Sequence, residues 1–203
     1  MTAGDTSLDQ RCRDLFLASD EGRRHVAFFA AVPDALLPWM VPFWWHLDRL
    51  LALDLPVAHL PMTALRPFLA VPFWRAGIHA GLFQLNAWDV LADPVRHADH
   101  WQRTMAADLH YPLTCYRLGD RLTLLDGYHR LLKAEATGVD SLPIVVVPEG
   151  AVDGLLVRDG FLGELNALRD ASGPRAPDLV PTLRRVARAL RDEYPAGTFP
   201  AWA

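Results

Sequence analysis

The sequence predicts an α+β protein: a small mixed sheet with helices, preceded by an N-terminal helical segment and followed by a C-terminal amphipathic helix. Three observations carry this. Residues 7–53 read as a run of helical segments. Residues 113–147 alternate between strand, tight turn, strand, helix and a β-branched strand. Residues 179–194, LVPTLRRVARALRDEY, set Leu183, Val186 and Leu190 on one helix face, with Arg184, Arg185, Arg188 and Arg191 mostly on the other. A chain of 203 residues has room for one domain with accessory segments, expected as 1–54, 55–148 and 149–203.

The N-terminal part divides into LDQRCRDLFLASD, EGRRHVAFFAAV and PDALLPWMVPFWWHLDRLLAL, all expected as helices. Asp20 and Asp34 are expected helix starts, because a short side-chain oxygen can accept from free backbone N–H groups. Trp39, Phe43, Trp44, Trp45 and Leu50 read as a buried helix face, with a homodimer or partner surface as the alternative. Leu55–Pro61 suits a short strand ended by proline, and the stretch to Trp74 a turn-rich aromatic connection. Residues 87–94 read as a short helical turn closed by Asp93-Pro94, and 95–106 as a helix. Leu113–Arg117 and Arg121–Leu125 are strands joined by the turn Leu118-Gly119-Asp120. Tyr128–Thr137 is a helix stopped by Gly138, and Leu142–Val147 a strand. Gly160–Ala171 is expected as a helix and 172–178 as a linker-like break.

Composition narrows the function classes. The chain is 51% hydrophobic and 22% charged, enough to bury a proper core. With 24 acidic and 20 basic side chains the net charge is -4, which disfavours general salt-driven binding to nucleic acid. Lys133 is the only lysine among those 20, so arginine is the default basic residue and its abundance says little about phosphate. Cys12 and Cys115 lie far apart without a CxxC pair, which argues against a disulfide framework or a Cys-rich zinc site. The N-terminus is polar and acidic, and the apolar run Ala35–Trp45 is broken by Pro38 and Pro42. Neither a signal peptide nor a membrane span is expected, and the expected location is the cytoplasm.

The chemistry concentrates at Asp126-Gly127-Tyr128-His129-Arg130, where a strand runs through a glycine into a helix. Such a junction gathers unpaired N–H groups and the positive end of the helix dipole at one point. Gly127 permits close backbone approach, and Arg130 could fork onto two phosphate oxygens. His129 could donate a hydrogen bond or add charge. Asp126 could cap the helix, orient His129 or hold Mg²⁺, and Lys133 lies one turn beyond Arg130. The competing reading is an ordinary cap and turn, with Arg130 paired to Glu135 or another local acid.

The stretch LTLLDGYHRLLKAEATGVDSLPIVVV resembles the core of the ParB/sulfiredoxin-like superfamily, with Tyr111-Pro112-Leu113 similar to the element that starts its hairpin. The resemblance covers residues 55–148 and implies a nucleotide- or phosphate-binding turn at 126–130. Sulfiredoxins carry a catalytic Cys in this turn, where Tyr128 stands here, so that reductase chemistry is not expected. The acidic chain shows no helix-turn-helix pattern after Pro148, which sets it apart from chromosome-partition members. The free-serine kinases of the superfamily are the most similar in the DGxHR pattern. Their catalytic base is an upstream Glu, and no Glu lies between Glu21 and Glu135. Asp108, or else His110, is the expected substitute.

Other constellations are weaker. His97 and His100 would share a helix face, but no HExxH or Cys ligand accompanies them. Ser7, Ser19, Ser141 and Ser172 lack a nucleophile elbow, and Cys115 reads as a small core residue. Trp74, Trp88 and Trp101 read as packing residues, any of which could stack on a ligand ring. The expected function is an enzyme binding a nucleotide (ATP, ADP or CTP with Mg²⁺) or a phosphorylated small molecule, acting as a phosphotransferase or NTP hydrolase. Asp126, His129, Asp108 and His110 are its expected catalytic residues, with Gly127, Tyr128, His129, Arg130 and Lys133 holding phosphate. The rivals are a non-catalytic nucleotide-sensing or protein-interaction module and, third, a ParB-like DNA-associated regulator.

Overall fold

The computed structural model describes residues 7–75 and 83–195. Helices α1 (Leu8–Leu17), α2 (Asp20–Ala31) and α3 (Leu47–Leu51) precede strand β1 (Ala58–Pro61). Helices α4 (Met62–Leu65), α5 (Ala87–Ala92) and α6 (Ala98–Ala106) follow, then the hairpin β2 (Leu113–Leu118) and β3 (Arg121–Asp126). After α7 (Tyr128–Thr137) and β4 (Ser141–Val147) come α8 (Val152–Leu155), α9 (Gly160–Ser172) and α10 (Leu179–Glu193). The fold is mixed α+β. No helix among the described residues is long and apolar enough to cross a membrane.

The chain forms two compact units, Met1–Leu51 with Leu155–Ala203, and Ala52–Gly154. The two flanking stretches expected as separate segments therefore contribute to one unit. Its helices share a core built on Phe16, Phe29, Phe161, Leu165, Leu183 and Leu190. The Phe16 ring lies 5.6 Å from Phe29 and 5.7 Å from Phe161. Helix α2 is capped by Ser19, whose hydroxyl accepts from Gly22 N–H at 3.0 Å, and Asp20 is the first helical residue rather than the cap. Asp34 opens a short 3₁₀ turn, Asp34–Trp39, without capping it.

The helix expected over residues 33–53 is not continuous. Pro38, inside the 3₁₀ turn, and Pro42 just beyond it lack the N–H donors that a continuous α-helix would need, and helix resumes only at Leu47. The Trp-rich stretch is correspondingly no single face: Phe43 and Leu50 are buried, while Trp39, Trp44 and Trp45 are half-buried. Residues 173–178, expected as a linker, form a 3₁₀ turn. On α10 the expected polar face is only partly polar in its surroundings. Arg184 is buried, its Nε donating to Val32 O at 2.6 Å and its Nη1 pairing with Asp34 at 2.5 Å.

The Ala52–Gly154 unit holds the sheet, in the order β1-β4-β2-β3. β2 and β3 pair antiparallel through the two-residue loop Gly119-Asp120, where Gly119 at φ 60 takes the position that a type II′ turn reserves for glycine. The β2–β3 register shifts between Thr114 and Cys115, setting Thr114 opposite Asp126 at the end of β3. Helix α7 then carries the chain over to β4, which lies parallel to β2 with Leu113 opposite Ile144 and Cys115 opposite Val146. Gly138, at φ 71, ends α7 as expected. The order strand, turn, strand, helix, strand over 113–147 is that read from the sequence.

Asn166 in α9 is fully buried, accepting from Trp44 N–H at 2.9 Å and donating to Trp44 O and Val157 O, both at 2.8 Å. Asn166→Ala removes the amide from the Trp44 N–H and the Val157 carbonyl, while Trp44 O keeps its bond from Val157 N–H at 3.1 Å, and we expect it to cost about 2–4 kcal/mol. Urea unfolding of the full chain measures this. A loss below about 0.5 kcal/mol, the level of an ordinary surface change, contradicts the role given to this side chain.

Candidate functional site

The site is built from the junction of β3 and α7. Gly127 adopts φ 114, a left-handed conformation that side-chain-bearing residues resist. A Cβ there would lie 2.6 Å from Leu113 Cδ2 and 3.1 Å from Arg130 Nη2. Glycine thus satisfies both the turn and the packing of the first residue of β2 against it. No side chain caps α7, so the N–H groups of its first turn are available to an external acceptor. They border a cavity of about 340 Å³ lined by Arg103, Ala106, Ala107 and residues 126–130.

Arg130 pairs with a local acid, as the competing reading allowed, but not with Glu135, which binds Arg66 instead at 2.9 Å. Its Nη2 donates to Asp126 Oδ2 at 2.5 Å, while Nε is buried without a partner. The capping role considered for Asp126 is therefore not the one it plays: its carboxylate holds the Arg130 guanidinium in place. Arg103 lines the cavity from α6 and makes no ion pair among the described residues.

His129 stacks on Trp74, ring centroids 4.6 Å apart, and His100 stacks on the same indole at 4.6 Å. The two imidazoles face one another, Nδ1 of His100 lying 3.4 Å from Nε2 of His129. Burial, with Arg103 and His100 close by, pushes His129 down from 6.5 to about 4. Burial also lowers His100. His129 is therefore neutral near pH 7 and adds no charge to the site. The Tyr128 hydroxyl is buried without a partner and held well above its ordinary pKa by desolvation.

Other expected site residues lie apart from this arrangement. Lys133 Nζ donates to Met105 O at 2.8 Å and Ala107 O at 2.6 Å, fastening α7 to the C-terminal end of α6 rather than reaching into the cavity. Asp108 Oδ1 accepts from both the backbone N–H and the Nδ1 of His110, each at 2.9 Å. These side chains are 53% and 98% exposed, and neither lines the cavity. The His110 N–H groups hold the Asp108 carboxyl below its ordinary range, which makes it a poorer base. His97 precedes α6 and His100 turns to Trp74, so the two do not form a ligand pair. Among the described residues no group of three His, Cys, Asp or Glu side chains could hold a metal. Burial pushes Cys115 up to about 12, as expected of a core thiol.

The sequence reading missed Arg103 and the placement of His100. Both lie on α6, three residues apart, and that spacing marks one helix face. Nothing local, however, sets that face against residues 126–130. No family model matches the chain, and no curated protein or solved structure matches it.

Because His129 binds a proton more weakly when folded than when unfolded, the neutral form contributes stability that is full above pH 6.5 and is lost toward about pH 4. We expect His129→Gln to flatten this part of the stability profile relative to the parent. Parallel urea titrations between these pH values read the difference. Equal slopes in the two proteins contradict the burial of a neutral imidazole.

Proposed function

We propose that residues 126–130 bind the phosphate of a nucleotide or phosphorylated small molecule, and that the protein is a phosphotransferase or NTP hydrolase. The observation that carries the reading is the convergence, on one cavity, of an uncapped helix N-terminus, Arg103 and Arg130. The backbone N–H groups from Gly127 to His129 would hold phosphate oxygens, with Arg103 adding a guanidinium that the sequence alone did not identify. Asp126 offers a carboxylate that is one-third exposed and already oriented by Arg130. That donor set fits Mg²⁺ held by one carboxylate together with phosphate oxygens and water, and does not fit a cage made of protein ligands alone. The metal would neutralise charge on the phosphates. Positioning and charge stabilisation would supply most of the rate. The likeness of this turn to the ParB/sulfiredoxin-like superfamily supports the same ligand class.

One observation favours the second reading, a non-catalytic nucleotide sensor. Asp108 and His110, the expected proton acceptors, are exposed and bonded to one another away from the cavity. His129 is then the candidate base that the cavity retains.

Calorimetry with ATP, ADP and CTP, with and without Mg²⁺, tests the binding claim. We expect saturable binding by at least one nucleotide. Arg103→Ala and Arg130→Ala should each weaken it about tenfold to a hundredfold, the range for losing a charge-assisted hydrogen bond. No binding by any of the three, or binding unchanged in both variants, contradicts the proposal. Binding without phosphoryl transfer or nucleotide hydrolysis selects the sensor.

A further inference from the structure

The Trp74, His100 and His129 stack fixes more than ring positions, because its hydrogen bonds run in one direction. His100 Nε2 lies 3.1 Å from the Arg75 carbonyl oxygen, which can only accept, so Nε2 carries the proton. A neutral His100 then has a bare Nδ1 facing His129 Nε2 at 3.4 Å, and the proton of that contact belongs to His129. A neutral His129 that is protonated at Nε2 keeps Nδ1 as its acceptor. No described residue bonds that Nδ1, and His129 lines the cavity. The indole face of Trp74, 4.6 Å from each imidazole centroid, holds both ring planes within 19° of its own.

We propose that His100 is a positioning residue: by accepting from His129 Nε2–H it fixes the tautomer of His129, so that Nδ1 serves as a hydrogen-bond acceptor for a hydroxyl group of the bound molecule. The ligand assignment rests on the phosphate-binding reading above and narrows it to a phosphorylated molecule that carries a hydroxyl, such as a ribonucleotide. The tautomer assignment does not depend on any ligand. It follows from the Arg75 carbonyl, whose acceptor-only character propagates through His100 to His129.

The test has two arms on the full chain. Long-range ¹H–¹⁵N correlation spectra of the ligand-free protein at neutral pH should show both imidazoles with a pyrrole-like Nε2 and a pyridine-like Nδ1. His100→Phe, which cannot accept, should leave His129 as a tautomer mixture. His100→Asn, whose amide oxygen can stand where Nδ1 stood, should restore the single tautomer. A parent spectrum with the proton on His129 Nδ1 overturns the proposal without recourse to a variant, as does an unmixed tautomer in folded His100→Phe. In the second arm, His100→Phe should weaken ADP binding about fivefold to tenfold, the range of one neutral hydrogen bond, and leave 2′,3′-dideoxy-ADP unchanged. Equal losses for the two nucleotides overturn the hydroxyl assignment. If neither binds the parent, the phosphate reading and the hydroxyl assignment fail together, and the spectra still decide the role of His100.

Discussion

Gly127 bears the constraint on which the site depends. Its left-handed backbone turns the edge strand β3 into α7, and its missing side chain makes room for Leu113 at the start of the neighbouring strand. These requirements are separate. The first asks only for a tolerant residue, and the second for one with no Cβ. Together they determine the direction in which α7 leaves the sheet, and with it where the first-turn N–H groups lie. Asp126 sits just before the glycine and Arg130 three residues after it, so the same turn brings carboxylate and guanidinium into contact.

The electrostatics around this junction are divided by role. Arg130 is partly neutralised by Asp126, and Lys133 is tied to the carbonyls that end α6. Burial keeps His129 uncharged. The positive character left to the cavity comes from Arg103 and the helix terminus. A neutral imidazole beside these groups adds directional hydrogen bonding without competing for charge. That combination suits recognition of a phosphate next to an uncharged polar group.

Much of this architecture was legible in the sequence because local rules dominate it. Gly119, Gly127 and Gly138 mark a hairpin turn, a helix entry and a helix stop, and each does so through a positive φ. The β-branched run in β4 and the helical spacing in α10 are similarly local signals. What the sequence concealed is non-local. The shared core of the N- and C-terminal helices stacks Phe16 on Phe161, residues far apart along the chain, with Phe29 edge-on to Phe16. The salt bridge from Arg184 to Asp34 buries a residue that helical periodicity assigns to solvent. Likewise, His100 comes from α6, His129 from α7 and Trp74 from an isolated bridge to Leu85 outside any helix or strand, and only their tertiary packing makes them a unit. Residues 33–53 depart from the expected helix for a local reason, since Pro38 and Pro42 override the helical spacing of the aromatic residues.

The proposed site requires that the first turn of α7 receive an anion. Backbone ¹H–¹⁵N spectra of the full chain titrated with ADP, with and without Mg²⁺, test it at the atoms concerned. Saturable shifts are expected to be largest at the amides of Gly127, Tyr128 and His129, with the Arg103 side-chain signal moving on the same curve. Shifts centred elsewhere, or amides of that turn that stay fixed while the nucleotide binds, would contradict it.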